Sequence, residues 1–135
     1  MNDKLYTQKH MLHFSHCDPA GIIFYSRVYE LHHIAYENWV GKVYSWEDWF
    51  RHKTYAFPIV HSEADYSAPM RAGQEIEIVL RKKKLSQNSY QLESSIYLGD
   101  KICAKASSIH VCVSKAGFQK APIPDFVKEC LEKTL

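Results

Sequence analysis

No stretch of this sequence approaches the roughly 18 apolar residues that a membrane span requires. Met1-Asn2-Asp3-Lys4 has no long apolar run behind it, so no secretory signal is expected either. Charge of one sign is scarce: 17 Lys and Arg against 15 Asp and Glu leave a formal net charge of +2. That is too little for a broad nucleic-acid footprint. The cysteines, Cys17, Cys103, Cys112 and Cys130, make no Cys-x-x-Cys pair and keep no regular spacing. This argues against a disulfide framework or a zinc site and fits a reduced, cytoplasmic setting. Repeats, linkers and low-complexity tracts are also missing.

What is present is apolar matter enough for one domain. The 135 residues are 46% hydrophobic, so residues 1–135 are read as a single unit with a real core. Leu5 to Phe14 reads as a strand with Tyr6, Leu12 and Phe14 on one face, interrupted by Gln8 and His10. Asp18-Pro19-Ala20-Gly21 reads as a turn. From Ser26 to about Val40 the period becomes helical. Val28, Leu31, Ala35 and Trp39 form a stripe that Ile34 and Val40 widen, with Ser26 as N-cap and Gly41 as the stop. Ser45-Trp46-Glu47-Asp48 opens a short helix carrying Trp46, Trp49 and Phe50.

Four strands follow: Phe57–Tyr66, Gln74–Lys84, Ser89–Leu98 and Ile102–Ser114. The second and third alternate well, with Ile76, Ile78 and Leu80, then Tyr90, Leu92 and Ile96, on the apolar faces. Pro69 to Gly73 is a turn or bulge, and Gly99-Asp100 a hairpin turn. Beyond Pro122-Ile123-Pro124, Phe126, Val127, Cys130 and Leu131 suggest a terminal helix. Consecutive strands on short turns are antiparallel. One sheet must therefore cover one long apolar helix, an α+β architecture.

The chemistry-bearing stretch is Phe14 to Tyr25. It sets an acidic residue, Asp18, at a turn just ahead of a helix start. Helix N-termini carry unpaired N–H groups and partial positive charge, and a carboxylate beside such donors suits acyl transfer. Asp18 also suits a plain turn role. Cys17 is a weaker nucleophile candidate, since an adjacent Asp raises a thiol's pKa. The pairs His13/His16 and His32/His33 lack a convergent third ligand, so no metal is expected. Phe24 and Tyr25 read as core aromatics in their side chains. His61, mid-strand beside apolar residues, reads as a half-buried histidine or as a residue that orients a ligand.

His16-Cys17-Asp18-Pro19-Ala20-Gly21-Ile22-Ile23-Phe24-Tyr25, followed by the long helix, resembles the hotdog-fold acyl-CoA thioesterases of the 4-hydroxybenzoyl-CoA thioesterase-like family. The block Phe57-Pro58-Ile59-Val60-His61 through Ala64-Asp65-Tyr66 to Pro69 resembles the strand that follows in that family. The resemblance implies a curved antiparallel sheet wrapped around the helix, a homodimer or a homotetramer built as a dimer of dimers, and active sites at the dimer interface. It implies hydrolysis of an aromatic acyl-CoA to the free acid and coenzyme A, with no cofactor, metal, nucleic acid or membrane. The family's catalytic carboxylate falls on Asp18 and its oxyanion donor on the Tyr25 backbone N–H, with Asp18 as nucleophile or as general base.

Phe24, Tyr36, Trp46 and Phe57 are acyl-pocket candidates, and His61 a substrate-orienting one. His33 stands where one branch carries the acid that binds a 4-hydroxyl, a departure from 4-hydroxybenzoyl-CoA. The Val60-His61 and Ala64-Asp65-Tyr66 block leans toward the 1,4-dihydroxy-2-naphthoyl-CoA branch. In the basic run Arg81-Lys82-Lys83-Lys84, alternation sends Arg81 and Lys83 to one face. They are candidate coenzyme A contacts, or else lysine protection of an edge strand. Three rivals stand beside hydrolysis by Asp18. One is a non-catalytic binder of acyl-CoA or acyl-carrier protein on the same fold. Another is a hotdog hydratase, which needs a His soon after the Asp, whereas none follows Asp18 until His32. The third is a Cys-dependent hydrolase.

Overall fold

Alternation along the fourth strand decides which face of the sheet is the inside. A computed structural model describes residues 3–135. Its strands are β1 (Lys4–Met11), β2 (Tyr55–Ala56), β3 (Ile59–Tyr66), β4 (Glu75–Leu85), β5 (Ser89–Leu98), β6 (Lys101–Val111), β7 (Val113–Ser114) and β8 (Gln119–Lys120). Its helices are α1 (Arg27–Val43), α2 (Trp46–Phe50) and α3 (Asp125–Glu132). Ile76, Ile78 and Leu80 of β4 are buried, as are Tyr90, Leu92, Ser94 and Ile96 of β5, whereas β6 is buried on consecutive residues at Cys103-Ala104 and Ala106-Ser107-Ser108. The main sheet runs β1-β4-β5-β6-β3, antiparallel throughout, and β2, β7 and β8 form a small second sheet.

The sheet closes on α1. Val28, Leu31, Ala35, Trp39 and Val40 are fully buried against it, each of the larger ones worth about 1.5–3 kcal/mol of apolar burial. Two apolar clusters divide the helix. The first half packs with Leu12, Met70, Ile78 and Ile96. The second packs with Trp49, Leu80, Leu92 and the α3 residues Val127, Cys130 and Leu131. At mid-helix a polar bridge crosses the core: the two ring nitrogens of His32 bond the Ser94 and Ser108 hydroxyls, and Ser108 bonds His110 Nε2 at 2.7 Å. Burial pushes His32 down to about 4 and His110 to about 3, so both rings are neutral at pH 7.

Several boundaries differ from expectation. β1 ends at Met11, and Phe14 stands 84% exposed in a single 3₁₀ turn. Leu5, not Tyr6, is the buried residue, because pairing with β4 shifts register between Lys4 and Tyr6. Gln8 breaks the apolar pattern for a reason: it faces the polar flank of α1 and accepts from Asn38 Nδ2 at 2.9 Å. Gly41 does not stop the helix, which continues to Val43 and ends where the Tyr44 N–H bonds the Val40 carbonyl. Ser26 sits at the N-cap but makes no side-chain cap bond. Ser45 does cap α2, accepting from the Asp48 N–H at 3.2 Å. Pairing in β3 begins at Ile59 rather than Phe57, and β6 ends at Val111. No helix among the described residues is long and apolar enough to cross a membrane.

Candidate active site

The loop between β1 and α1 folds back as a tight hairpin. The Phe24 N–H bonds the His16 carbonyl and the Asp18 N–H bonds the Ile22 carbonyl, both at 2.9 Å. The turn closes through the Gly21 N–H on the Asp18 carbonyl. Gly21 adopts φ +82°, a region that costs a residue with a Cβ. Asp18 Oδ1 accepts the Ala20 N–H at 2.9 Å, an Asx turn. Ile23, buried with Val28 and Leu31, staples the loop down, and its N–H reaches the Met70 carbonyl at 2.8 Å. Asp18 is thus half-buried and oriented, with no ion-pair partner among the described residues. A carboxylate held this way can attack a carbonyl or take a proton from water.

The hairpin delivers the chain to the start of α1. The Tyr25 carbonyl accepts the Tyr66 hydroxyl at 2.7 Å, which pins the helix entry to the end of β3. Burial and the nearby phenols of Tyr29 and Tyr25 push the Tyr66 phenol up, so it stays a donor. The Tyr25 N–H meets no backbone carbonyl among the described residues. The side chains of Phe24 and Tyr25 correct the expectation of core aromatics. Both are exposed, Tyr25 at 63%, with their rings 4.9 Å apart. Beside this loop the rings of His10, His13 and His16 lie 5.4 to 6.0 Å apart. Partial burial and the other two imidazoles hold His10 below its usual range. Among the described residues no three metal-ligating side chains converge. The Cys17 thiol lies toward the His13 carbonyl at 3.8 Å, with no side-chain base bonded to it among the described residues.

A second cluster lies at the other half of α1. Tyr36, Trp49, Phe50, Ala56, Phe57, Pro58 and Phe118 line an apolar pocket of about 260 Å³. Trp49 Nε1 donates to the Tyr36 hydroxyl at 2.9 Å, and that hydroxyl is also bonded to Tyr90. Burial pushes both phenols up, so they stay neutral. Glu37 ties the rim together, with one oxygen 3.0 Å from His33 Nε2 and the other accepting Trp46 Nε1 at 3.1 Å. Of the acyl-pocket candidates, Tyr36 and Phe57 line this pocket and Trp46 packs beside it on Phe50, with His33 against Tyr36, whereas Phe24 stays with the Asp18 hairpin against Tyr25. Asp18 does not line this pocket, and Tyr36 lies nine residues into α1 from Arg27, about 14 Å along the helix axis.

His61, Arg81 and Lys83 form no part of either cluster. Ser62 pairs with Ser108, whose hydroxyl reaches His32 on α1, so His61 points to the opposite face and is exposed. It is not the half-buried histidine that its apolar neighbours suggest. Arg81 also faces away from α1 and lies 3.0 Å from Asp3, while Lys83 lies 3.9 Å from Glu93. Sequence reasoning missed the Tyr66 clamp, for which no local signal exists, and Phe118. The Gly117-Phe118 pair in a polar turn was the available hint for the latter.

Comparison with known proteins bears on the family and the fold. The thioesterase-like superfamily matches residues 12–131. A 1,4-dihydroxy-2-naphthoyl-CoA hydrolase from Microcystis aeruginosa is 29% identical over 122 residues, covering 90% of this chain and 88% of the relative. One from Nostoc punctiforme is 28% identical over 128 residues, covering 94% and 86%. In fold, a crystal structure of a 1,4-dihydroxy-2-naphthoyl-CoA thioesterase from Synechocystis superposes with a TM-score of 0.86 at 23% identity, covering 93% and 94%. The family match spans nearly the whole chain and the wrapped-helix fold accompanies it, so the chain belongs to the thioesterase-like superfamily.

Proposed function

We propose that the thioester cleaved by this acyl-CoA thioesterase is that of a hydroxylated aromatic acid, with 1,4-dihydroxy-2-naphthoyl-CoA first and 4-hydroxybenzoyl-CoA second. The observation that carries the chemistry is the hairpin that holds Asp18 beside a helix start whose Tyr25 N–H lacks a backbone acceptor. The order of substrates rests on the named relatives and on His33 standing in place of an acid.

In the general-base route Asp18 takes a proton from water as the oxygen adds to the thioester carbon. The carbonyl oxygen gains charge against the Tyr25 N–H, a donor already oriented before reaction. The C–S bond then breaks, and the proton on Asp18 passes to the coenzyme A thiolate. In the nucleophilic route Asp18 forms a mixed anhydride, releases the thiolate, and water cleaves the anhydride. Lys83 is the better coenzyme A contact of the expected pair, since its ion pair to Glu93 spans 3.9 Å where Arg81 holds Asp3 at 3.0 Å. A homodimer through β3, an edge strand exposed at all but Ala64, fits this reading, and a dimer of dimers is its natural extension. The four free thiols suit a reducing compartment.

The test is thiol release from a panel of acyl-CoAs by wild type and Asp18→Asn. Wild type should prefer the naphthoyl thioester, and the variant should lose about 10²- to 10⁴-fold in kcat. Retained turnover in a folded variant removes Asp18 from its role. Saturable binding without thiol release by wild type makes the protein a binder instead.

A further inference from the structure

The apolar pocket beside the second half of α1 carries an uneven hydrogen-bond count. Trp49 Nε1 donates to the Tyr36 hydroxyl at 2.9 Å, and the Tyr36 and Tyr90 hydroxyls bond each other. One indole N–H and two phenolic O–H groups bring three hydrogens to two oxygens. The two bonds use two of those hydrogens. The third has no acceptor among the described residues. His110 Nδ1, on a ring packed beside both phenols, is bonded to neither.

Position decides which phenol carries the spare hydrogen. Both are buried, Tyr36 at 2% exposure and Tyr90 at 1%. Tyr90 stacks on His110 with ring centroids 4.7 Å apart and does not line the pocket. A spare O–H on Tyr90 would stay unpaired in the core, at the full cost of desolvating a donor. Tyr36 does line the pocket. When Tyr90 donates to Tyr36, the Tyr36 oxygen accepts two bonds, and its own hydrogen is left for whatever fills the pocket. Burial pushes both phenols up, so the group stays a donor.

The remaining walls restrict what that donor can meet. Trp49, Phe50, Ala56, Phe57, Pro58 and Phe118 carry no charge. A carboxylate or phosphate seated among them would lose its water without a counter-charge. A flat ring fits them. Phe118 closes the pocket from the turn of the β7–β8 hairpin, where it is 64% exposed and holds φ +53° against the preference of a residue with a β-carbon. At about 260 Å³ the space falls below that of drug-sized sites, about 300–1,000 Å³. It suits one ring system.

We propose that this pocket binds a neutral aromatic ring bearing an oxygen acceptor, a ring hydroxyl or carbonyl, and that the Tyr36 O–H donates to that oxygen. The identification of this ring with the acyl group of the substrate rests on the thioesterase reading. On that reading Tyr36 is a specificity-determining residue that favours an oxygenated aryl thioester over a bare one. A free oxygenated aromatic bound beside the substrate has the same chemistry.

Equilibrium dialysis reads the donor without turnover. Naphthalene, 1-naphthol and 1-tetralone share nearly one outline, and the tetralone carbonyl accepts a hydrogen bond but cannot donate one. In Tyr36→Phe, affinity for 1-naphthol and 1-tetralone should fall at least about fivefold while affinity for naphthalene holds. A parallel loss of all three makes Tyr36 a structural wall and overturns the donor role, as does no loss at all. Where that variant fails to fold, wild type alone decides. Normalised to partition into octanol, both oxygenated probes should exceed naphthalene at least about fivefold, and parity overturns the proposal. Phe118→Ala, at an exposed position, should weaken all three probes about threefold or more. No change in any of them places the probes elsewhere and overturns the pocket assignment.

Inhibition of wild-type hydrolysis of 1-hydroxy-2-naphthoyl-CoA by 1-naphthol distinguishes the two sources of the ring. Competitive inhibition, with Tyr36→Phe raising KM for that thioester and not for 2-naphthoyl-CoA, makes the ring the acyl group. Non-competitive inhibition makes it a separate aromatic ligand of the same pocket. Absence of hydrolysis with the probe pattern intact overturns the thioesterase reading and leaves the Tyr36 assignment standing.

Discussion

Acidification should destabilise this protein well above the usual carboxylate range, because its core carries uncharged histidines. His32 titrates at about 4 in the fold and at about 6.5 when the chain is open. The unfolded state therefore binds the extra proton between those values, and stability is lost as pH falls through that window. At pH 5 the proton linkage for His32 alone removes about 2 kcal/mol. His110, held at about 3 by burial and by its neighbour His32, removes a similar amount, together about 4 kcal/mol. That is a large share of a typical 5–15 kcal/mol, and it should lower the urea midpoint by roughly 2 M at an m-value of about 2 kcal/mol/M. The assay is urea unfolding at pH 7.5, 6.5, 5.5 and 5.0 at one fixed protein concentration, since dimerisation would contribute to apparent stability. His32→Asn should start less stable at pH 7.5 yet lose less on acidification. A midpoint that stays level from pH 7.5 to 5, or an unchanged slope in His32→Asn, refutes the argument.

Other outcomes follow from the same geometry. Tyr66→Phe deletes the donor to the Tyr25 carbonyl, and should lower kcat about tenfold while shifting stability by no more than about 0.5–1.5 kcal/mol; steady-state kinetics beside thermal melts check it. Gly21→Val imposes a β-branched residue on a turn at φ +82°, so it should cost at least about 1 kcal/mol and disorder the Asp18 loop, read as lost kcat. Val60→Pro removes a strand N–H and should turn a dimer into monomer, seen by light scattering, with hydrolysis lost in parallel. Trp39→Ala, at the centre of the apolar cluster, should cost about 3–5 kcal/mol in chemical denaturation.

Much of the architecture was legible because periodicity is local. Ile76, Ile78 and Leu80 announce a strand buried on one face, and Val28, Leu31, Ala35 and Trp39 announce the helix that it covers. Asp18-Pro19-Ala20-Gly21 announces its own turn, since the Asx bond and the positive φ at Gly21 are made within four residues. Gly41 misled for a complementary reason: a glycine can remain helical when the packing of Trp39, Val40 and Val43 extends past it. Leu5 and Phe14 misled because strand register and the exit from β1 are set by β4, not by their neighbours in sequence.

The site divides along the same line. Asp18 and the helix start after Tyr25 could be named from residue order, because backbone hydrogen bonding between near neighbours creates them. The Tyr66 hydroxyl on the Tyr25 carbonyl joins residues 41 positions apart. The facing of His61 and Arg81 away from α1, and Phe118 over a pocket walled by Tyr36 and Phe57, likewise depend on sheet pairing. Chain composition therefore determined the wrapped helix, the strands that cover it and the Asp18 turn. Only the folded arrangement brought Tyr36, Trp49, Phe57 and Phe118 around one pocket that the Asp18 turn does not line, because contacts between distant residues are decided by long-range pairing that no local pattern encodes.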